Sequence, residues 1–394
     1  MREGIREHAL LHGTPLYLYD SGKIKANYEK VKSAFNSFEI IYSVKANPNR
    51  QVLELLLGQG AGIDAASKNE VLKCAGLGCL KSNIYYSAPG KKKSDIADSL
   101  GNSQIIADSL GELKLIDETA GRLDTVANVG VRLNIPQPAL DGSYLEVMNG
   151  EESKFGIRTT DFFAAALEIK KCKNIRLNGL HVYFGSQIIN PGIISANFKA
   201  ISEAALSITE IFPIEYVNYG GGFGVADQNS SGLDLEKTAG LICSDDSTRA
   251  IIGKGIRRNL ELGRFLVAEA GVFVASVIDV KRSGSVNFAI LDGGMSSFYR
   301  PMFTNQKHRV TVVGKTQKNE TRCAKSRGSE NHEKGALKYR LVGNTCTPLD
   351  VIGDEELPAL MAGDLLAFEN AGAYGYSMSM LDFISFDRPK EIMI

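Results

Sequence analysis

FEIIYSV, residues 38–44, is a β-branched and aromatic run that ends directly before Lys45 and the polar turn ANPN (46–49). Such a run predicts a buried strand, and the segment QVLELLLGQ (51–59) behind it has helical periodicity. Seven further candidate strands repeat this succession in the first 270 residues: AGIDAA (61–66), NIYYSA (83–88), QIIAD (104–108), NVGVRLNI (128–135), LNGLHVYF (177–184), IEYVNYG (214–220) and LELGRFLV (260–267). Eight strands that alternate with helices predict an α/β fold, a (β/α)8 barrel of the TIM type.

The alternative to a barrel is an open doubly wound sheet, which gathers its ligand residues at two or three strand ends. In this chain unusual residues follow nearly all the strands, and that distribution favours the barrel. The helical rhythm ends near residue 270, and four later runs predict the strands of a second, mainly β domain: GVFVASVIDVKRS (271–283), VNFAILDGG (286–294), KYRLVGNTC (338–346) and DLLAFENAGAY (364–374). The early run TPLYLYDS (14–21) is a further candidate strand of that domain.

These patterns divide the chain into a barrel over residues 22–270 and a mainly β domain formed by residues 1–21 and 271–394. Residues 304–336 are polar and rich in glycine, lysine and serine, so we expect an exposed loop or a partly disordered insertion there.

Composition excludes several functional classes. Among the 394 residues, 45 Lys and Arg balance 45 Asp and Glu, and a neutral chain has no general attraction for nucleic acid or an anionic membrane. The cysteines form no CxxC pair and no cluster with histidine, so we expect free thiols in a reducing compartment and no metal site. No apolar run resembles a signal peptide or a membrane span, and we expect a cytoplasmic protein. The six cysteines are Cys74, Cys79, Cys172, Cys243, Cys323 and Cys346.

Two residues at strand ends suggest amine chemistry. Lys45 follows the first barrel strand, where desolvation at a barrel mouth would favour a nucleophilic amine, although a surface lysine that begins a loop is the simpler interpretation. Glu261 lies three residues before Arg264 in LELGR, and a carboxylate in an apolar strand needs a cationic partner. That partner is either a protonated pyridine nitrogen or Arg264 itself.

A candidate phosphate site lies at the ends of the later strands, where barrels usually form such sites. NYGGGFGV (218–225) contains Gly220, Gly221 and Gly222, whose backbone N–H groups can approach an anion, although a flexible turn explains the glycines equally well. Ser186 in GSQ (185–187) offers a hydroxyl, and Gly263 with Arg264 offers an amide and a guanidinium. In the second domain Cys346, Asp350 and Tyr374 are further candidates, each with a structural role as its alternative.

Taken together, these segments resemble the alanine-racemase-fold (fold type III) decarboxylases, which depend on pyridoxal 5′-phosphate and include ornithine, arginine and diaminopimelate decarboxylases. Eleven motifs occur in family order: YSVKAN, IDAASKNE, YYSAPGK, IADSLGEL, VRLN, SKFGI, HVYFGSQ, YGGGFG, ELGR, GNTCTPLD and AGAYG.

The resemblance implies a role for each candidate. Lys45 would be the Schiff-base lysine, and Glu261 would pair with the pyridine nitrogen. Cys346 would protonate the decarboxylated carbon, with Asp350 nearby, and both would reach across from the partner subunit of a head-to-tail homodimer. The phosphate would be held by Ser186, Gly220, Gly221, Gly222, Gly263, Arg264 and Tyr374, and the polar residues beneath the cofactor would be Asp64, Glu70 and Arg132.

Three positions depart from the family pattern or bear on the substrate. Tyr183 replaces the histidine that stacks on the cofactor and can itself stack on the ring, and His181 is expected on the other side of the strand. Thr347 follows Cys346 where many members that bind a distal ammonium have a carboxylate. Arg300 in FYRPMF (298–303) retains an Arg-Pro pattern of diaminopimelate decarboxylases and could bind a distal carboxylate or phosphate.

Arg300, Thr347 and Asp350 are therefore the predicted substrate residues. The leading hypothesis is decarboxylation of an amino acid or its conjugate, free or tethered to a carrier protein, in a natural-product or siderophore pathway. Diaminopimelate decarboxylation in lysine biosynthesis is the alternative. An amino-acid racemase and a non-catalytic regulatory homologue are weaker alternatives, because Glu261 is unlike the arginine of racemases and the catalytic residues are all present.

Overall fold

The computed structural model describes residues 2–136, 146–147, 150, 152–226, 231–313 and 336–394. The chain forms two compact units. One consists mainly of Lys25–Ala226 and Ser230–Leu266, and the other of Met1–Ile24 and Val267–Ile394. No helix in the described ranges is both long and apolar enough to cross a membrane.

The first unit contains a closed barrel of eight parallel strands, as the sequence predicts. Each strand pairs with the next along the chain, and the last, β12, pairs with the first, β2. The barrel strands are β2 (Glu39–Ser43), β3 (Gly62–Ala65), β4 (Ile84–Ser87), β5 (Gln104–Ala107), β6 (Ala127–Asn134), β9 (Ile175–His181), β11 (Tyr216–Gly221) and β12 (Arg257–Leu262). The short strands β7 (Glu146–Val147), β8 (Ile157–Arg158) and β10 (Gly185–Ser186) accompany them.

Helices connect the barrel strands. They are α2 (Ser21–Ala34), α3 (Arg50–Gly58), α4 (Lys68–Gly76), α5 (Lys93–Ser99), α6 (Leu110–Arg122), α7 (Thr159–Ala164), α8 (Ala166–Lys171), α9 (Pro191–Thr209), α10 (Leu235–Ser244), α11 (Asp246–Gly253) and α12 (Arg264–Val267). The prediction of a strand over 260–267 is wrong in its second half: the strand ends at Leu262, and Arg264–Val267 is helical. The apolar triplet that follows Arg264 is compatible with either structure, so its pattern alone could not decide.

Large side chains fill the barrel interior. Ile41, Tyr85, Ile106 and Tyr216 form one buried cluster, and the Tyr85 and Tyr216 rings meet edge to face with centroids 5.1 Å apart. A Cβ atom at Gly179 would overlap the ring of Tyr216, so this glycine makes room for it. The interior is therefore a packed core, and ligand chemistry is confined to the strand ends.

The second unit is a mainly β domain, again as predicted. Its strands are β1 (Leu16–Tyr19), β13 (Gly271–Ser283), β14 (Val286–Leu291), β15 (Val310–Val313), β16 (Leu337–Val342), β17 (Val351–Leu357), β18 (Leu365–Phe368) and β19 (Lys390–Met393), with helices α1 (Arg2–His12) and α13 (Arg300–Thr304). The early strand β1 joins this sheet, antiparallel to β13 and parallel to β19.

The expectation for residues 304–336 is wrong at its N-terminal end. Thr304 closes α13, and Val310–Val313 is a strand whose residues pair with Leu365–Phe368 of β18. Four residues of β-branched sequence inside a polar segment are too few to reveal a strand by composition. Residues 314–335 lie outside the described residues.

Candidate functional site

Lys45 begins the site at the end of the first barrel strand, in a 3-10 turn over Val44–Ala46. Its side chain is 39% exposed, and its Nζ donates to Asp64 Oδ2 at 2.6 Å. The same Nζ lies 3.5 Å from Glu261 Oε1. The sequence suggested a desolvated neutral amine, whereas two carboxylates beside a partly hydrated amine favour its ammonium form. Lys45 lies at the strand end as predicted, but its amine is not the desolvated neutral amine that the sequence suggested.

Asp64 and Glu261, the two carboxylates facing Lys45, are both buried, and burial beside a like charge favours protonation of one of them. Burial and the charge of Glu261 raise the pKa of Asp64 to about 7. Burial would also raise the pKa of Glu261, but Lys45 and His181 outweigh burial and lower it. The shortest contact of Lys45 is to Asp64, yet Glu261 has more stabilising partners. We therefore place the proton on Asp64 and the negative charge on Glu261.

His181 is one of those partners, and the expectation that it lies on the other side of its strand is wrong. Its Nε2 lies 2.8 Å from Glu261 Oε2, and its side chain is 1% exposed. Residues 181 and 183 are two apart, and a strand places such residues on one face. The alternation rule, correctly applied, would have found this residue.

Asn218 is a second site residue that the sequence reasoning missed. Its Nδ2 donates to Glu261 Oε2 at 3.4 Å, and its Oδ1 accepts the Gly220 N–H at 2.9 Å. Asn218 thus links the carboxylate to the start of the glycine run. Its position two residues before Gly220, at the end of a buried strand, was the available signal.

The glycine run lies where three strand ends approach one another. Gly220 and Gly222 have φ of +64° and +76°, a region that side chains disfavour. A Cβ atom on Gly221 would overlap the carbonyl oxygen of Glu261, and one on Gly222 would overlap that of Gly185. Backbone contact between the strand ends therefore requires these glycines. A flexible turn is not needed to explain them.

Ser186 and Arg264 come together beside this run. Arg264 Nη2 lies 3.5 Å from Ser186 Oγ, and both residues are buried. Gly263 packs against Ala46 and Ser43, since a Cβ on Gly263 would lie 2.9 Å from that of Ala46. Tyr183 is half-buried and contacts Gly220. The predicted phosphate residues of the barrel are thus neighbours.

The polar residues predicted beneath the cofactor have separate partners. Glu70 Oε2 accepts the Ala66 N–H at 2.6 Å while Ser67 caps the same helix, α4. Arg132 lies 3.8 Å from Asp108 Oδ1, with its guanidinium carbon 4.3 Å from the Phe155 ring centroid. Asp64 is hydrogen-bonded to Lys45, and Asp108, the partner of Arg132, is an addition from the structure.

The loop that carries Cys346 and Thr347 belongs to the β domain. Cys346 is exposed, and Thr347 Oγ1 accepts the Leu349 N–H at 3.3 Å. Asp350 is 3% exposed; its Oδ1 accepts the Met295 N–H at 2.7 Å, and its Oδ2 accepts the Thr345 hydroxyl at 2.6 Å. The carboxylate of Asp350 therefore faces its own domain, which favours a positioning role for this predicted substrate residue.

Arg300 and Tyr374, also in the β domain, lie against each other. The guanidinium carbon of Arg300 is 4.7 Å from the Tyr374 ring centroid, and its Nε donates to Gln306 Oε1 at 2.8 Å. Arg300 is 3% exposed, and Tyr374 adopts a φ of +60°, which is uncommon for a residue with a side chain. Tyr374, predicted at the phosphate, thus packs against Arg300, predicted at the substrate. Their roles stay predictions.

The barrel residues fit pyridoxal 5′-phosphate. Lys45 offers the amine for an aldehyde, Glu261 a carboxylate for a pyridinium N–H, and Ser186 with Arg264 a phosphate-binding pair. A Cβ atom on Gly221 or Gly222 would overlap a neighbouring carbonyl oxygen, so backbone alone forms this part of the site, as a phosphate cradle requires. This complementarity supports pyridoxal 5′-phosphate as the cofactor.

Comparison with known proteins agrees with this geometry. Residues 21–268 match the family model for the pyridoxal-binding domain of pyridoxal-dependent decarboxylases. The L-glutamyl-[BtrI acyl-carrier protein] decarboxylase of Niallia circulans is 33% identical over 96% of this chain and 88% of its own length. The diaminopimelate decarboxylase of Aquifex aeolicus is 28% identical over 95% of this chain and 85% of its own. The crystal structure of the Helicobacter pylori diaminopimelate decarboxylase, complexed with L-lysine, superposes with a TM-score of 0.85 at 28% identity and covers 99% of this chain and 93% of that one.

Proposed function

This chain belongs to the pyridoxal-dependent decarboxylases, and on that premise we propose that it decarboxylates an amino acid conjugated at its distal end, free or carrier-tethered, in a biosynthetic pathway. It is a pyridoxal-phosphate-dependent carboxy-lyase. The bound cofactor supplies the electron sink that makes loss of an α-carboxylate possible. A racemase or an inactive regulator does not account for relatives that are named decarboxylases.

Each group of the chain has a distinct task in the proposed reaction. Lys45 would hold the cofactor through its amine, and Glu261, held by His181 and Asn218, would keep a negative charge for the pyridine nitrogen. Ser186, Arg264 and the glycine run would anchor the phosphate. Cys346 of the partner subunit returns a proton to the α-carbon.

The observation that carries the substrate proposal is the hydroxyl of Thr347. The loop 343–350 contains one carboxylate, that of Asp350, which is buried and bonded to Met295 and Thr345. A threonine hydroxyl cannot neutralise a distal ammonium, so a substrate without that charge fits best. Relatives of this kind include the Niallia enzyme and a 2-[(L-alanin-3-ylcarbamoyl)methyl]-2-hydroxybutanedioate decarboxylase of Staphylococcus aureus, which is 29% identical over 99% of this chain and 95% of its own length.

Diaminopimelate is the second candidate, because Arg300 supplies a buried guanidinium beside Tyr374. A guanidinium suits a distal carboxylate, which diaminopimelate carries. The distal ammonium of diaminopimelate would nevertheless lack a carboxylate partner next to Cys346. A conjugate with distal carboxylates satisfies Arg300 without that mismatch.

Carbon dioxide release from a substrate panel tests this proposal. The panel contains meso-diaminopimelate, ornithine, glutamate, glutamyl-loaded carrier protein and an amide-linked diaminopropionate conjugate of citrate. We expect release from a conjugate and little from the free diamino acids, with Lys45→Ala inactive throughout. Turnover of diaminopimelate at a rate above that of every conjugate would establish the second candidate instead.

A variant sharpens the same test. Thr347→Asp places a carboxylate after Cys346, and we expect it to improve kcat/KM for meso-diaminopimelate about tenfold through a new ion pair, roughly 1.4 kcal/mol. Thr347→Asn is the matched control of the same shape without charge. Equal effects of the two variants would remove Thr347 from the set of specificity residues.

A further inference from the structure

The carboxylate of Glu261 is held on one side by two neighbouring strands. Its Oε2 meets His181 Nε2 at 2.8 Å and Asn218 Nδ2 at 3.4 Å, while Oε1 faces Lys45 Nζ at 3.5 Å. Strands β9, β11 and β12 are adjacent in the barrel, so these contacts connect three consecutive strand ends. The two oxygens of the Glu261 carboxylate therefore have different partners.

The hydrogen atom between His181 and Glu261 belongs to the imidazole. Burial lowers the pKa of His181, although the charge of Glu261 opposes this shift. A neutral imidazole carries one N–H, and an ionised carboxylate can only accept, so Nε2 is the donor. Nδ1 is then a bare acceptor, which is consistent with its lack of a hydrogen-bond partner among the described residues.

We propose that His181 is the positioning residue of the pyridine-nitrogen site: its Nε2–H occupies Oε2 of Glu261 and so directs Oε1 to the cofactor. Packing alone does not explain a histidine here, because a buried imidazole is costly unless it makes a hydrogen bond. Asn218 gives a longer, weaker bond to the same oxygen and cannot replace it. Three ionisable groups also face Glu261 from the surrounding elements, Lys45, Asp64 and Arg132, and the contact of Lys45 is to Oε1.

Two amide variants separate the hydrogen bond from the imidazole. The Nε2 of Gln reaches the position of the His Nε2, whereas the amide of Asn stops near that of Nδ1 and cannot reach Glu261. Both variants are made in the full chain, stripped of cofactor and titrated with pyridoxal 5′-phosphate. The measurements are the dissociation constant and the ratio of the absorption bands of the bound cofactor, which depends on protonation of the ring nitrogen.

We expect His181→Gln to match the parent protein in both measurements. His181→Asn should raise the dissociation constant about tenfold, equal to about 1.4 kcal/mol, and should change the band ratio. If both variants show the changes expected for His181→Asn, the proposal is overturned, because the ring and not its N–H would matter. The proposal is also overturned if both variants behave like the parent protein. Should the Asn variant not fold, the Gln variant decides, since it preserves only the donor. No substrate is needed, so this test is independent of the proposed reaction.

Discussion

At the scale of single residues, the site is decided by how three ionisable side chains share their protons. Lys45, Asp64 and Glu261 come from three different strand ends and meet within 2.6 and 3.5 Å of the lysine nitrogen. The sequence predicted each of them, because each lies at the end of an apolar run. It could not predict which carboxylate keeps a proton, since His181 contacts Glu261 from 80 residues away.

Asp64→Asn should stabilise the cofactor-free protein at pH 8 and have little effect near pH 4. The pKa of Asp64 is about 7 in the folded protein, above its ordinary value of 3.8. The protonated carboxyl therefore favours folding fully below pH 3.8, and this contribution is lost as the pH rises through 7. Asn resembles the protonated form at every pH. Urea unfolding of both proteins at pH 4, 6 and 8 measures the difference.

The control for this prediction is Asp382→Asn. Asp382 is 85% exposed and paired with Arg388 at the surface, where solvent screens the pair, so we expect Asp382→Asn to leave the stability nearly unchanged at all three pH values. A stability difference between parent and Asp64→Asn that shrinks as the pH rises would mean that Asp64 is ionised in the fold, and the proton would have to be assigned to Glu261.

At the scale of elements, the strand pattern carried most of the prediction. All eight barrel strands coincide with predicted runs because buried parallel strands consist of near-continuous apolar sequence. The errors fall where pattern and structure separate: the apolar residues after Arg264 form a helix, and Val310–Val313 is a strand that only its partner β18 reveals. Asp350 is a similar case, because its burial depends on Met295, which is 55 residues away.

Asp350→Asn tests whether this residue positions the loop of Cys346. The parent carboxylate accepts hydrogen bonds from Met295 and Thr345, and an amide must turn its NH2 group toward one of these donors. We expect a loss of about 1–3 kcal/mol in unfolding free energy. The rate at which iodoacetamide alkylates Cys346, followed by mass spectrometry, should also change. Parent-like stability and alkylation would show that Asp350 is available for substrate, as the sequence first suggested.

At the scale of the whole molecule, the chain supplies two sets of site residues in two separately described units. Lys45, Glu261, Ser186 and Arg264 belong to the barrel, and Cys346, Arg300 and Tyr374 belong to the β domain. The proposed Schiff-base lysine and the partner of the pyridine nitrogen come from the barrel, whereas the proposed proton donor, the substrate residues and the phosphate residue Tyr374 come from the other unit. The resemblance to the family assigns Cys346 to the partner subunit, and we propose a homodimer with two shared sites on that ground.

Mixing two variants that each lack one proposed catalytic group tests the shared site. In a heterodimer of Lys45→Ala and Cys346→Ala subunits, one site carries both lesions and the other carries neither if Cys346 acts in the opposite subunit. Random exchange makes half the dimers mixed and half of their sites intact, so formation of the correctly protonated amine product should recover to about a quarter of the parent value. Each variant alone gives the baseline. The matched control mixes each variant with a double variant that carries both Lys45→Ala and Cys346→Ala, and activity should not recover in that mixture. If the first mixture stays at the baseline while native mass spectrometry shows that the subunits have exchanged, Lys45 and Cys346 must act within one chain, and the β domain would have to complete the site of its own barrel.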